Sequence, residues 1–179
     1  MNPLSLLEKY CAGNPELERI LFLHSKKVAD MALRIANNHP ELNLDQRFIF
    51  EAAMLHDIGV VKVSAPGIHC FGSEPYIKHG LFGAEILRSE GLPRHARVAE
   101  RHTGTGLTKQ AILSQGLPLP PQDFCPETLE EKLICYADKF YSKTHPEVEK
   151  TYERACHSLQ KFGEEGISIF DEWHKLFGV

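Results

Sequence analysis

No two of the five cysteines (Cys11, Cys70, Cys125, Cys135, Cys156) stand in a Cys-x-x-Cys spacing, and their number is odd. The chain therefore reads as one with reduced thiols, expected in the cytoplasm, rather than one held by disulfides. No apolar run approaches the roughly 20 residues of a membrane span. The opening Met1-Asn2-Pro3-Leu4-Ser5 lacks the basic start and apolar middle of a signal peptide, and no membrane partner is expected. Basic residues form no block: 20 Lys and Arg stand against 24 Asp and Glu, a net charge of -4. Duplex nucleic acid needs a cationic face to meet its phosphates, so it is not expected as a partner. No run of alternating apolar and polar residues marks a strand either.

What the sequence has in quantity is helical spacing. Asn2-Pro3 and Asn14-Pro15 are N-cap signals with proline at the first helical position. Leu17, Leu21, His24, Val28, Met31 and Ile35 then trace one face of a long helix. Asp45 caps a second apolar helix through Phe48, Ile49, Ala52 and Leu55 that stops at Gly59. The pattern is lost from Val60 to Tyr76, and a connection this long inside a compact domain often forms a rim or lid over a site. Helical spacing returns around His79 to Leu87, His95 to His102 and Thr108 to Gly116, and at the capping box Thr128-Leu129-Glu130-Glu131. It continues from Val148 to Phe162 and from Phe170 to Phe177. The fold class is all-α, a compact bundle of roughly eight helices. At 179 residues the chain suits one domain.

One stretch stands apart: His56-Asp57 at the end of the greasy helix Phe48 to Leu55. Either the doublet closes the helix facing water, or it is buried, which is costly for an ionised carboxylate without a partner such as a metal ion. His24, His79, His102 and Asp138 also lie on or beside apolar helical faces or at helix ends. Each taken alone reads as an ordinary core or surface residue. Their common feature is order along the chain: His, His-Asp, His, His, Asp.

That series, with the local wording Leu55-His56-Asp57-Ile58-Gly59, Lys78-His79-Gly80, Arg101-His102-Thr103 and Tyr136-Ala137-Asp138-Lys139, resembles the HD superfamily of metal-dependent phosphohydrolases. The resemblance implies a helical bundle of the HD-domain type. Its metal-site core would run from about residue 17 to 144 of a single 1–179 domain, with helices of 145–179 packed on it. It also implies that His24, His56, Asp57 and Asp138 ligate one metal, while His79 and His102 ligate a second that Asp57 bridges to the first. Two HD groups are nearest in pattern: enzymes that split dinucleoside tetraphosphates at an iron centre, and small uncharacterised HDIG-type proteins that share the His-Thr-Gly and Thr-Leu-Glu-Glu-Lys wording. The second fits better.

Nitrogen and carboxylate ligands suit Fe, Mn, Co, Ni or Zn, the resemblance implies Fe first among them, and two such divalent or mixed-valent ions can clamp a phosphoryl group. The function expected is hydrolysis of a nucleotide or other small phosphate ester by a chain that could pair as a homodimer. The alternatives are an HD-type diiron oxygenase and a non-catalytic, metal-stabilised nucleotide-binding module. Cyclic dinucleotide hydrolysis of the kind that needs a Gly-Tyr-Pro signature is disfavoured, since no such tripeptide occurs. Catalytic roles are expected for Asp57, Arg101 and Lys139, and Lys62, Lys78 and Lys143 are further candidates to meet phosphates. Glu85 and Thr103 are expected to orient ligand imidazoles. His95 shares a face with His102 and competes with it, His69-Cys70 is a second possible pair, and His39, His145, His157 and His174 are expected at the surface.

Overall fold

A computed structural model describes residues 2–178. Among the described residues nine α-helices follow in order: α1 (Pro3–Tyr10), α2 (Pro15–Asn38), α3 (Gln46–Leu55), α4 (His79–Ser89), α5 (Pro93–Arg101), α6 (Lys109–Ser114), α7 (Leu129–Asp138), α8 (Tyr152–Leu159) and α9 (Glu164–Phe177). The expected all-α bundle is what forms. No described helix is long and apolar enough to cross a membrane.

The helices begin where their caps place them. Asn14 Oδ1 accepts from the Leu17 amide at 3.1 Å and Asp45 Oδ1 from the Phe48 amide at 3.0 Å. Thr128 and Glu131 complete their reciprocal capping box. The 24-residue α2, about 36 Å long, buries one stripe that includes Leu17, Leu21, His24, Val28, Met31 and Ile35. Helices α3 and α7 pack on it, α5 packs on α3, α4 and α7, and α9 packs on α7. Tyr136 of α7 faces Phe170 and Phe177 of α9, with ring centroids 5.0 and 5.6 Å apart. Each buried aromatic contributes about 2–3 kcal/mol by the area it removes from water.

Two expectations need correction. The Val60–Tyr76 connection holds a small antiparallel hairpin, Ser64–Ala65 with Cys70–Phe71, between 3-10 turns. Two residues per strand are too few to show alternation in sequence. The helix expected from Val148 starts at Tyr152, because Thr151 accepts from the Arg154 amide and caps it there. Val148 is left half-exposed in the turn before it.

Close approaches bring the helix ends together. A Cβ on Gly59 would lie 2.0 Å from the His79 carbonyl oxygen and 2.2 Å from the Gly83 amide nitrogen, so only glycine lets the turn after α3 press onto α4. A Cβ on Gly80 would lie 2.7 Å from the Ala99 carbonyl oxygen, which sets how tightly α4 seats on α5. The ends of α3, α5 and α7 and the start of α4 thereby converge beside the middle of α2.

Candidate metal centre

That convergence holds six side chains, all buried: His24, His56, Asp57, His79, His102 and Asp138. Asp57 sits between two sets. Its Oδ2 lies 3.1 Å from His24 Nε2 and 3.0 Å from His56 Nε2, and Asp138 Oδ1 lies 3.0 and 3.3 Å from the same nitrogens. Its Oδ1 lies 3.5 Å from His79 Nε2 and 3.2 Å from His102 Nε2. Within each set the potential ligand atoms lie within 4.8 Å of one another.

The helix ends determine which nitrogen of each ring faces inward. The last carbonyls of a helix have no intrahelical partner, and a histidine three residues on can use one. His56 Nδ1 lies 2.6 Å from the Ala53 carbonyl and His102 Nδ1 lies 2.7 Å from that of Ala99, each at the close of its helix. His79 does the same with Tyr76, at 2.7 Å, through the 3-10 turn ahead of α4. With Nδ1–H given to a carbonyl, the neutral ring presents the Nε2 lone pair to the cluster. His24 lies mid-helix, where the carbonyls are already in use, and its Nδ1 has no partner.

The result is a set of acceptors facing acceptors. His79 Nε2 and His102 Nε2 stand 3.0 Å apart. His24 Nε2, His56 Nε2 and Asp57 Oδ1 are buried without a hydrogen-bond partner, an arrangement costly unless a cation lies among them. A proton is the smallest such cation. Burial opposes charge on His56, but Asp57 and Asp138 outweigh it and lift its pKa to about 10. Burial likewise opposes ionisation of Asp57 and Asp138, yet the imidazoles and lysines around them hold both carboxyls well below the usual range. Burial and the neighbouring His102 push His79 down to about 3, and burial lowers His102 as well. The orphaned atoms and the nitrogen and carboxylate donors suit divalent metal ions.

The cluster opens onto a cavity of about 490 Å³ between the hairpin, the segment after α7 and α8. Asp138, His79 and His102 form its floor, and Tyr76, Thr103, Ser142 and four lysines (Lys139, Lys143, Lys150, Lys161) are on its walls. Lys143 Nζ lies 2.7 Å from Asp57 Oδ2, and Lys139 Nζ lies 2.6 Å from Asp138 Oδ2 and 2.9 Å from the His102 carbonyl. Tyr76 stacks on His79 at 4.6 Å.

Several expected residues lie elsewhere. Arg101 turns away from the cavity to Glu127, at 2.6 Å, and to the Cys125 carbonyl, at 3.1 Å, because the acidic start of α7 lies across from it. Lys62 is exposed outside the cavity and Lys78 pairs with Glu74 at 2.7 Å. Glu85 is exposed on the outer face of α4, and backbone carbonyls take the orienting role assigned to it. His95 meets Glu51 at 3.4 Å and the edge of Phe48, away from the cluster that holds His102. His69 is exposed while Cys70 is buried with its thiol on the Ile68 carbonyl, so they form no pair. His39 pairs with Glu41, and His145 and His157 are exposed. His174 is half-buried, bonded to the Tyr136 hydroxyl at 2.7 Å and stacked on Tyr152, since α9 turns it inward. Tyr76, Lys150 and Lys161 carried no signal in the sequence, being isolated polar residues in or beside turns.

Comparison with known proteins follows the same lines. Residues 21–142 match the HD domain family. An uncharacterized protein of Methanocaldococcus jannaschii is 37% identical over 136 residues, 75% of this chain and 70% of its own length. Two proteins named tRNA (cytidine(56)-2'-O)-methyltransferase are also similar. That of Picrophilus torridus is 36% identical over 124 residues, 69% of this chain, and that of Thermoplasma volcanium is 34% identical over 140 residues, 78% of it. The chain spans about a third of their length, 32% and 35%. In fold, the HD domain of the L. monocytogenes phosphodiesterase PgpH superposes with a TM-score of 0.55 over 93% of both chains, at 18% identity.

Proposed function

The chain belongs to the HD domain family, and from that premise we propose that it is a metal-dependent phosphohydrolase acting on a nucleotide or another small phosphate ester. One observation carries the reading. Two buried ligand groups share Asp57 and open onto a cavity lined by four lysines. His24, His56, Asp57 and Asp138 would hold one metal, and His79 and His102 with the other oxygen of Asp57 a second. Transition metal ions bound there, Fe first among them, supply Lewis acidity toward phosphoryl oxygens and render water acidic near neutral pH.

The chain supplies the rest. The carbonyls of Ala53, Tyr76 and Ala99 keep three imidazoles in one tautomer and one orientation. Lys139 and Lys143, at the boundary between cluster and cavity, present ammonium groups to the phosphate oxygens. Thr103 and Ser142 add hydroxyl donors on the same walls. The buried floor excludes bulk water from the ligands, which strengthens each of these interactions.

Methyl transfer, the activity named for the two longer relatives, is not proposed. A positively charged methyl donor would meet four ammonium groups in this cavity. The charge also favours an anionic substrate, such as a phosphate ester, over a neutral one. The test is turnover by protein reloaded with Fe, Mn, Co or Ni across phosphomonoesters, cyclic nucleotides and dinucleoside polyphosphates. Release of phosphate or nucleotide from at least one class is expected. Release from none, with metal bound, overturns the reading.

A further inference from the structure

The four lysines of the cavity are not equivalent. Lys139 and Lys143 have carboxylate partners in Asp138 and Asp57, at 2.6 and 2.7 Å. Lys150 and Lys161 have none among the described residues, although both line the same cavity. Lys150 is half-buried and donates to the Lys139 carbonyl at 3.3 Å. Lys161 extends from the turn after α8, with Nζ 5.0 Å from the Phe162 ring. Burial, aided by the ammonium groups of Lys139, Lys161 and Lys143, presses the Lys150 pKa down against the attraction of Asp138. The four charges therefore act on one another across a single wall. Such crowding, with carboxylate partners for the inner pair only, costs repulsion unless an anion with charge distributed along its length lies against it. A single phosphate at the metal cluster would satisfy the inner pair and leave the outer pair unanswered.

We propose that Lys150 and Lys161 extend the inner lysines into a track for a chain of linked phosphates, so that the substrate class is a polyphosphate ester rather than a monoester. The inference rests on the phosphohydrolase reading, with the reacting phosphate at the cluster and the following ones along the track toward Phe162. Thr144, on the cavity wall, offers a hydroxyl beside that path.

Calorimetric titration of the full chain, freed of metal by chelation so that the probe cannot bind metal ions, tests the track without turnover. Inorganic tripolyphosphate is expected to bind about tenfold tighter or more than orthophosphate. Lys161→Glu, at an exposed position, and the double variant Lys150→Ala/Lys161→Ala are expected to bring tripolyphosphate to within about threefold of orthophosphate. Lys150→Arg/Lys161→Arg is expected to restore the preference and so to separate charge from folding. Equal binding of the two anions by the wild-type chain, or an undiminished preference in Lys161→Glu, overturns the track. A chain that prefers tripolyphosphate yet hydrolyses nothing overturns the phosphohydrolase reading alone. A chain that hydrolyses monoesters and binds both anions alike overturns the track alone.

Discussion

Lys143 Nζ lies 2.7 Å from Asp57 Oδ2, the oxygen that also faces His24 and His56 at 3.1 and 3.0 Å. An ammonium group there neutralises the carboxylate that a metal ion would also claim, so the two cations compete. Asp57 in turn holds the Lys143 pKa well above its usual value despite burial. Lys143→Met is expected to raise metal affinity about tenfold, read by competition with a fluorescent chelator, while lowering turnover. Unchanged metal affinity would show that Lys143 does not compete with metal for Asp57.

Asp57 is the one side chain shared by both ligand groups. Asp57→Ala is therefore expected to remove both metals and all turnover, whereas His79→Ala is expected to keep more of the metal held by His24, His56 and Asp138. Metal content of untagged protein measured by mass spectrometry distinguishes the two. Full activity in both variants would refute the ligand assignment.

The two groups should respond differently to acid. His56, with its pKa lifted to about 10, carries a proton at neutral pH before metal arrives, and metal takes the lone pair that proton occupies. Metal uptake by that group is expected to release close to one proton and to weaken about tenfold for each unit by which pH falls. His79, pushed to about 3, and the lowered His102 have no proton to release, so the other group should be nearly independent of pH through the neutral range. Calorimetry in two buffers of different ionisation enthalpy measures the protons directly, and equal release in both steps would contradict the assignment.

Gly59 has no room for a side chain, since a Cβ would stand 2.0 Å from the His79 carbonyl. Gly59→Ala is expected to cost about 3 kcal/mol in urea denaturation. It should also depress occupancy of the His79 group more than that of the His24 group, because the start of α4 must move. A loss of stability with both metals retained would place the strain elsewhere.

The helices and the ligand series were legible because both depend on local rules. Caps such as Asn14 and Asp45 announce helix starts, and the apolar stripe that carries His24 announces burial. The orienting partners were not legible, because Ala53, Tyr76 and Ala99 act through backbone carbonyls, which have no sequence signature. Arg101 misled for a related reason: nearness to His102 along the chain says nothing of direction, and Glu127, just before α7, with Glu131 in its first turn, holds it away from the cavity. Lys150 and Lys161 were hidden because their place on the wall depends on how the segment after Asp138 folds back, a long-range matter.

Tyr136 lies two residues before Asp138 and rests against Phe170 and Phe177. Helix α9 is thus a brace for the centre of the molecule, and a change that pulls it loose would first be felt as a slackened carboxylate at the metals. Versions trimmed to the matched 21–142 stretch would surrender that support along with three of the four lysines of the cationic wall, Lys143, Lys150 and Lys161.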